Sequence, residues 1–244
     1  MNCFPGNRLR ASLLISAFLS AATFSCALVA SAQVNTTPAL QTTAAQAAPC
    51  CGLITPDGLR LEHFLDNMHV DQLWQPHVHI NWDSGEPDRP ADYRGPGRSS
   101  HCSAFAAAVG ERLHIYMLRP PEHSQIFLAS AQALWFHSAQ GVDDGWHLLD
   151  SPDRAYQAQK LANEGDLVTI VYESPDPRKP GHIVIVRPSE KSAAALTVEG
   201  PQIIQAGAEN HTSFIAAQAF YHHPGAWPNG VHYYWHKVDW SSLP

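Results

Sequence analysis

Read for the spacing of its apolar residues, the chain falls into a helical first half and a strand-rich second half. After Pro56-Asp57-Gly58, the residues Leu59, Leu61, Phe64, Leu65 and Met68 recur with helical spacing, which predicts an amphipathic helix. His77-Val78-His79-Ile80-Asn81-Trp82 alternates with a period of two and ends at Asp83-Ser84-Gly85, as a short strand would. Glu86 to Ser100 mixes prolines and glycines with charged residues and reads as a long loop, a kind of segment that is often functional. A second helix is expected from Cys102, capped by Ser99 or Ser100, with Phe105 and Val109 on the same face as the cysteine. Ile126, Leu128, Leu134, Trp135 and Phe136 predict another over 125–140, and Ser151-Pro152-Asp153 starts one that closes near Asn163-Glu164-Gly165.

From there the period becomes that of strands. Asp166 to Tyr172 is one, and His182 to Val186, apolar on both faces, is a buried second. Pro201 to Ala206 is a third, closed by Gly207, and Val231 to Val238 is the last. Helices followed by a meander of strands imply an α+β domain with an antiparallel sheet.

The N-terminus changes the picture of compartment. Arg8 and Arg10 precede an apolar stretch from Leu13 to Val29, and Ala30-Ser31-Ala32 follows, the pattern of a secretory signal peptide over 1–32. An uncleaved membrane anchor is the competing reading, disfavoured by the small-residue exit. Residues 33–50 are rich in Thr, Ala, Gln and Pro and read as a flexible tether, leaving one domain over 51–244. Without Arg8 and Arg10, 13 basic residues face 22 acidic ones, a formal −9. No basic stripe remains, so no nucleic-acid partner is expected, and no membrane partner after cleavage.

Cleavage would leave Cys50, Cys51 and Cys102, and an odd number in an oxidising compartment predicts a free thiol. Neighbouring Cys50 and Cys51 are not expected to form an ordinary disulfide with each other. A bridge from one of them to Cys102 is the structural alternative to a reactive thiol.

At a helix start, Cys102 would have the positive end of the helix dipole and free backbone N–H groups to favour a thiolate and to hold an oxyanion. His182, first residue of a core strand, is the candidate general base. A third group should orient the imidazole. If the 201–206 strand returns antiparallel, its distal end reaches His182, which ranks Gln205 first and Asn210 second, with Gln202 and Glu209 behind.

These residues carry a family resemblance. Cys102-Ser103-Ala104-Phe105, Gly165-Asp166-Leu167-Val168, Gly181-His182-Ile183-Val184-Ile185-Val186 and Gln205 to Asn210 occur in the order found in papain-like peptidoglycan amidases. The set resembles the CHAP (cysteine- and histidine-dependent amidohydrolase/peptidase) and NlpC-type domains. The resemblance implies a papain-like fold with the nucleophile helix packed on the sheet. It implies hydrolysis of amide bonds in peptidoglycan peptide stems, by a monomer that needs no cofactor and no metal. Cys102 would be the nucleophile, His182 the base, and Gln205 or Asn210 the third residue. This chain departs from the pattern at His101, Ala104 and Gln205, and in its 80-residue interval from Cys102 to His182. Tyr93 is similar in placement to the tyrosine upstream of the nucleophile in NlpC-type domains.

Two rivals remain. One is a metalloenzyme drawing ligands from His77, His79, His222, His223, His232 and His236, although no HExxH or paired-cysteine zinc spacing is present. The other is a non-catalytic wall-binding module on the same fold, its groove built from some of seven tryptophans and seven tyrosines.

Overall fold

The computed structural model describes residues 49–243, so the signal peptide and almost all of the tether lie outside the described residues. The elements run α1 (Pro56–Asp66), α2 (Cys102–Arg112), α3 (Leu128–His137), α4 (Ala139–Asp143), β1 (His147–Leu149), α5 (Arg154–Glu164), β2 (Leu167–Tyr172), β3 (His182–Val186), α6 (Ala193–Glu199), β4 (Gln202–Gln205), β5 (His211–Ile215), α7 (Ala216–Ala219) and β6 (His232–His236). The expected α+β class holds, with six antiparallel strands in the order β1-β6-β2-β3-β4-β5.

The sheet is covered on both faces, which is why β2 and β3 are buried at every residue and read as continuous apolar runs. Ile183, Ile185 and Ile204 point to one face, where they pack with α2, Phe136, Trp146 and Tyr234. Val184, Val186 and Ile203 point to the other, where Ala158 and Ala162 of α5 and Phe220 cover them. The alanine run of α2 lets that helix lie close on the first face, and every residue from Cys102 to Gly110 is buried.

Three sequence expectations need correction. Residues 77–82 are not a strand: only Ile80 forms an isolated bridge, to Pro87. The alternation there belongs to a turn, in which Trp74 and His77 take left-handed backbone and Gly85 N–H donates to Asn81 O. A side chain at Gly85 would collide with the Trp74 ring, 2.5 Å from its would-be Cβ, so glycine lets the loop close over that indole. The single helix expected over 125–140 is two, broken where extended Ser138 caps α4 by accepting from Gly141 N–H at 3.2 Å. Cys50 and Cys51 are joined to each other by a vicinal disulfide, against expectation, and Cys102 is the free cysteine. The linked pair sits where Cys50 N–H donates to Lys191 O at 2.9 Å, so the chain is already fixed to the domain at that point.

Phe136 shows where the first face draws its stability. Its ring stacks on Tyr234 at 4.8 Å, meets Trp146 edge-on at 4.6 Å, and is 1% exposed. Phe136→Ala should cost about 3–5 kcal/mol, read as a lower urea midpoint with an unchanged slope.

Candidate functional site

The site forms around the start of β3. Antiparallel pairing puts Ile185 opposite Ile204 and Val186 opposite Ile203, so the end of β4 arrives beside His182. Gln205 Oε1 accepts from His182 Nε2–H at 2.9 Å, and both side chains are buried. The amide orientation follows from its other end, where Gln205 Nε2 donates to Glu209 O at 3.2 Å. With Oε1 facing the ring, the proton sits on Nε2 and Nδ1 keeps its lone pair. Among the described residues Nδ1 has no hydrogen-bond partner.

Asn210, the second-ranked orienting residue, does something else. Its Nδ2 donates to the carbonyls of Val70, Leu73 and Trp74 at 2.7, 2.9 and 3.3 Å, and its Oδ1 accepts from Gly207 N–H at 3.1 Å. It pins the turn after β4 to the loop after α1 and does not touch His182. Gln202 bonds Ser213 at the far end of β4. Glu209 contributes its backbone carbonyl, while its carboxylate is exposed beside His211. Tyr93 donates to Pro96 O and packs edge-on against His79, in the loop rather than at the site.

Cys102 opens α2. Neither Ser99 nor Ser100 caps the helix; the N-cap is His101, which makes no side-chain cap bond. The buried His101 ring instead donates through Nε2 to Val78 O at 2.8 Å, tying the helix start to the 77–82 turn. The first-turn N–H groups are therefore left to the thiol, which lies against the backbone N–H groups of Ile183, Ser103 and its own residue. Burial pushes the thiol up and those contacts only partly offset it, so the resting group is a thiol rather than the thiolate expected from the helix start.

His182 faces the other side of the sheet. It shares a face with its pair partner Tyr172 and with Val184 and Val186, and meets the Phe220 ring edge-on at 5.2 Å. Its ring stacks on His223 at 5.1 Å with 10° between planes. Thiol and imidazole thus approach the first turn of β3 from opposite faces, on either side of the His182–Ile183 backbone. Burial lowers His182 to about 4 despite the Gln205 bond, and lowers His223 to about 4, helped by His182 and His222.

Two adjoining cavities surround this point. One, about 560 Å³, is lined by His182, Gln205, His211, Phe214, Tyr221 and His223. The other, about 110 Å³, is lined by Cys102, Ser103, Gln125, Ile126, Phe127 and Leu128. Ser99, Ser100, Pro180 and Gly181 belong to both walls. Gly181 is required there, since a Cβ would lie 2.3 Å from Tyr172 O and 2.8 Å from Ser130 Oγ.

Sequence reasoning missed two members. His223 was weighed only as a metal ligand, and its place over His182 depends on the 220–224 turn. Gln125 donates to Ile80 O while its buried Oε1 has no partner among the described residues. The proposed metal ligands do not converge: among the described residues no group of three or more His, Cys, Asp or Glu is placed to hold an ion.

The two histidines lowered to about 4, with His101 and His232 lowered by burial in the same direction, make stability depend on pH. At His182 and His223 the unfolded chain takes up these protons near the ordinary value of 6.5 and the folded chain only near 4. Their contribution is full above about pH 6.5 and is lost as the pH falls towards 4. Urea midpoints should drop between pH 7 and pH 4.5, and His223→Gln should flatten that drop; a midpoint independent of pH in this window would refute the assignment. No protein-family model matches the chain, and no curated protein matches it at a significant level.

Proposed function

We propose that this protein is an exported, papain-like cysteine hydrolase that cleaves amide bonds in the peptide part of bacterial peptidoglycan. Cys102 is the nucleophile, His182 the general base and Gln205 the residue that orients it. The observation that carries the reading is the His182–Gln205 bond at 2.9 Å, which leaves Nδ1 without a partner among the described residues, in a cavity that shares the Ser99–Ser100 and Pro180–Gly181 walls with the cavity of Cys102, their free cysteine.

The chemistry follows from a neutral pair. With the thiol raised and His182 lowered to about 4, the resting site holds S–H and a neutral base rather than an ion pair. Since the two groups lie on opposite faces of the sheet, water at the junction of the two cavities must relay the thiol proton to Nδ1 as sulfur attacks the carbonyl carbon. The first-turn N–H groups of α2 then receive the developing oxyanion. The imidazolium delivers its proton to the departing amine, and water attacks the thioester with the same base. No cofactor or metal enters these steps. Peptide stems on a polymer outside the cytoplasm suit the signal-type N-terminus, and the monomer is sufficient for this chemistry. Among the described residues no helix is long and apolar enough to cross a membrane.

A non-catalytic wall-binding module is the second reading, favoured by a Cys102 that is 4% exposed and raised by burial. A bridge from Cys102 to Cys50 or Cys51, which would also have favoured it, is not formed.

Purified protein should release peptide-containing fragments from isolated cell walls. Cys102→Ala should lose at least about 10⁴-fold of that rate while keeping its circular dichroism. Gln205→Ala should lose about tenfold, the worth of one neutral hydrogen bond. Undiminished release by Cys102→Ala would end the hydrolase reading. The acid limb of the rate should fall near pH 4, where His182 protonates, and not near 6.5.

A further inference from the structure

On the same face of the sheet as His182, but beyond Phe220, lies a third cavity of about 380 Å³. Its wall is built from the start of α5, the end of α6 and residues 227–233, and includes Arg154, Tyr156, Thr197, Trp227, Asn229 and Tyr233. We infer that it is a saccharide-binding subsite, used to hold a glycan strand while an attached peptide reaches the cavity around His182. That use rests on the hydrolase reading above; the binding itself does not.

Three observations carry it. Tyr233 is 2% exposed, lines the cavity, and its hydroxyl has no hydrogen-bond partner among the described residues. The hydroxyl borders the cavity rather than being sealed off, so an occupant's acceptor can take the place of water on it. Burial keeps the phenol protonated at neutral pH, so it is available as a donor. Trp227 gives a half-buried flat surface, backed on one face by Phe220 and held at its Cη2–Cζ2 edge by Gly200. Phe220 stacks on it at 6.3 Å with 13° between rings, and Gly200 approaches so closely that a Cβ would lie 2.4 Å from the indole. Gly200 has a φ of +72°, which favours glycine at this contact. Arg154 donates to Pro228 O at 3.3 Å with its guanidinium 5.7 Å from the centre of the Tyr233 ring. The guanidinium is thereby held in the wall.

Charge narrows the ligand. Asp153 lines the cavity beside Arg154, so neither an anion nor a cation is favoured as such. The Asp153 carboxylate is already engaged by Ser151 Oγ at 2.6 Å and Gln157 Nε2 at 3.0 Å. What remains is a stacking surface, a hydroxyl donor and the exposed amide of Asn229. A sugar ring, with one apolar face and a rim of hydroxyls, satisfies all three. The volume falls in the range of small-ligand sites and suits one or two rings. Phe220 links the two sites, edge-on to His182 at 5.2 Å and stacked on Trp227.

Titration calorimetry of the full chain with peptide-free trisaccharides tests this, one of N-acetylglucosamine and one of β-1,4-linked glucose. Binding of either with a millimolar or tighter Kd is expected. Tyr233→Phe, which removes only the unpaired hydroxyl, should weaken it about 3- to 10-fold. Asn229→Ala, at an exposed position, should weaken it in the same direction without unfolding the chain. Cys102→Ala should bind as the unmodified chain does, so a failure of the hydrolase reading leaves this result standing. No binding of either sugar at about 10 mM, or binding that neither Tyr233→Phe nor Asn229→Ala alters, overturns the proposal. So does binding of a proline-rich peptide to the cavity in place of both sugars.

Discussion

The hydrogen bond from His182 Nε2 to Gln205 Oε1 is the constraint on which the arrangement around β3 depends. A buried imidazole must satisfy its N–H, and here the end of β4 supplies the acceptor. This fixes the β3–β4 register, and the consequences spread outward. Gln205 needs the Glu209 carbonyl to hold its amide, so the turn after β4 must fold back. That turn is anchored by Asn210 to the loop carrying Val70, Leu73 and Trp74. Trp74 N–H in turn bonds Gly85 O at 3.0 Å, and the same loop receives the His101 ring at Val78. A single run of hydrogen bonds and packed side chains therefore joins His182 to the residue preceding Cys102.

The electrostatics of the two reactive groups are decided by desolvation. A helix terminus contributes about 0.3–1 kcal/mol, up to about 2 in favourable geometry. Full burial shifts a titratable group by as much as about 3–5 pKa units, at about 1.4 kcal/mol each. Burial is the larger effect, and it moves thiol and imidazole in opposite directions, both towards neutrality. On the proposed function, the N–H groups around Cys102 are then better placed to stabilise charge that develops during attack than to hold a resting thiolate. The vicinal disulfide contributes in its own way. With Cys50 and Cys51 joined to each other, neither offers a free thiol to pair with Cys102.

Periodicity revealed β2, β3, β4 and β6 because central strands buried on both faces leave long apolar runs. It missed β1 and β5, which lie at the two edges: β1 has one buried residue and β5 none. It misread 77–82 because a turn with left-handed residues at Trp74 and His77 also alternates its side chains. Gln205 was legible as the polar residue at the end of a returning strand. Asn210 was misassigned because its partners are carbonyls more than 130 positions away, which no local pattern encodes. His223 escaped for a related reason: it reaches His182 through the 220–224 turn. The opposite-face approach of Cys102 and His182 was equally invisible, since it depends on how α2 meets the end of β3.

The face assignment also organises the rest of the molecule. His182, Gln205 and His223 open onto the side of the sheet covered by α5 and α7, and Trp227 and Tyr233 open onto that side too. The 216–233 segment supplies walls to both cavities, with Phe220 filling the space between them. Cys102 alone belongs to the opposite face. On the proposed hydrolase reading, a ligand that engages everything on this side is extended, and its carbonyl turns the end of β3 to meet sulfur. The same reading fits a branched polymer better than a compact substrate. One arm would lie along the 216–233 segment, and the bond to be cut would sit on a side arm entering between Ser99–Ser100 and Pro180–Gly181, the residues common to both reactive cavities.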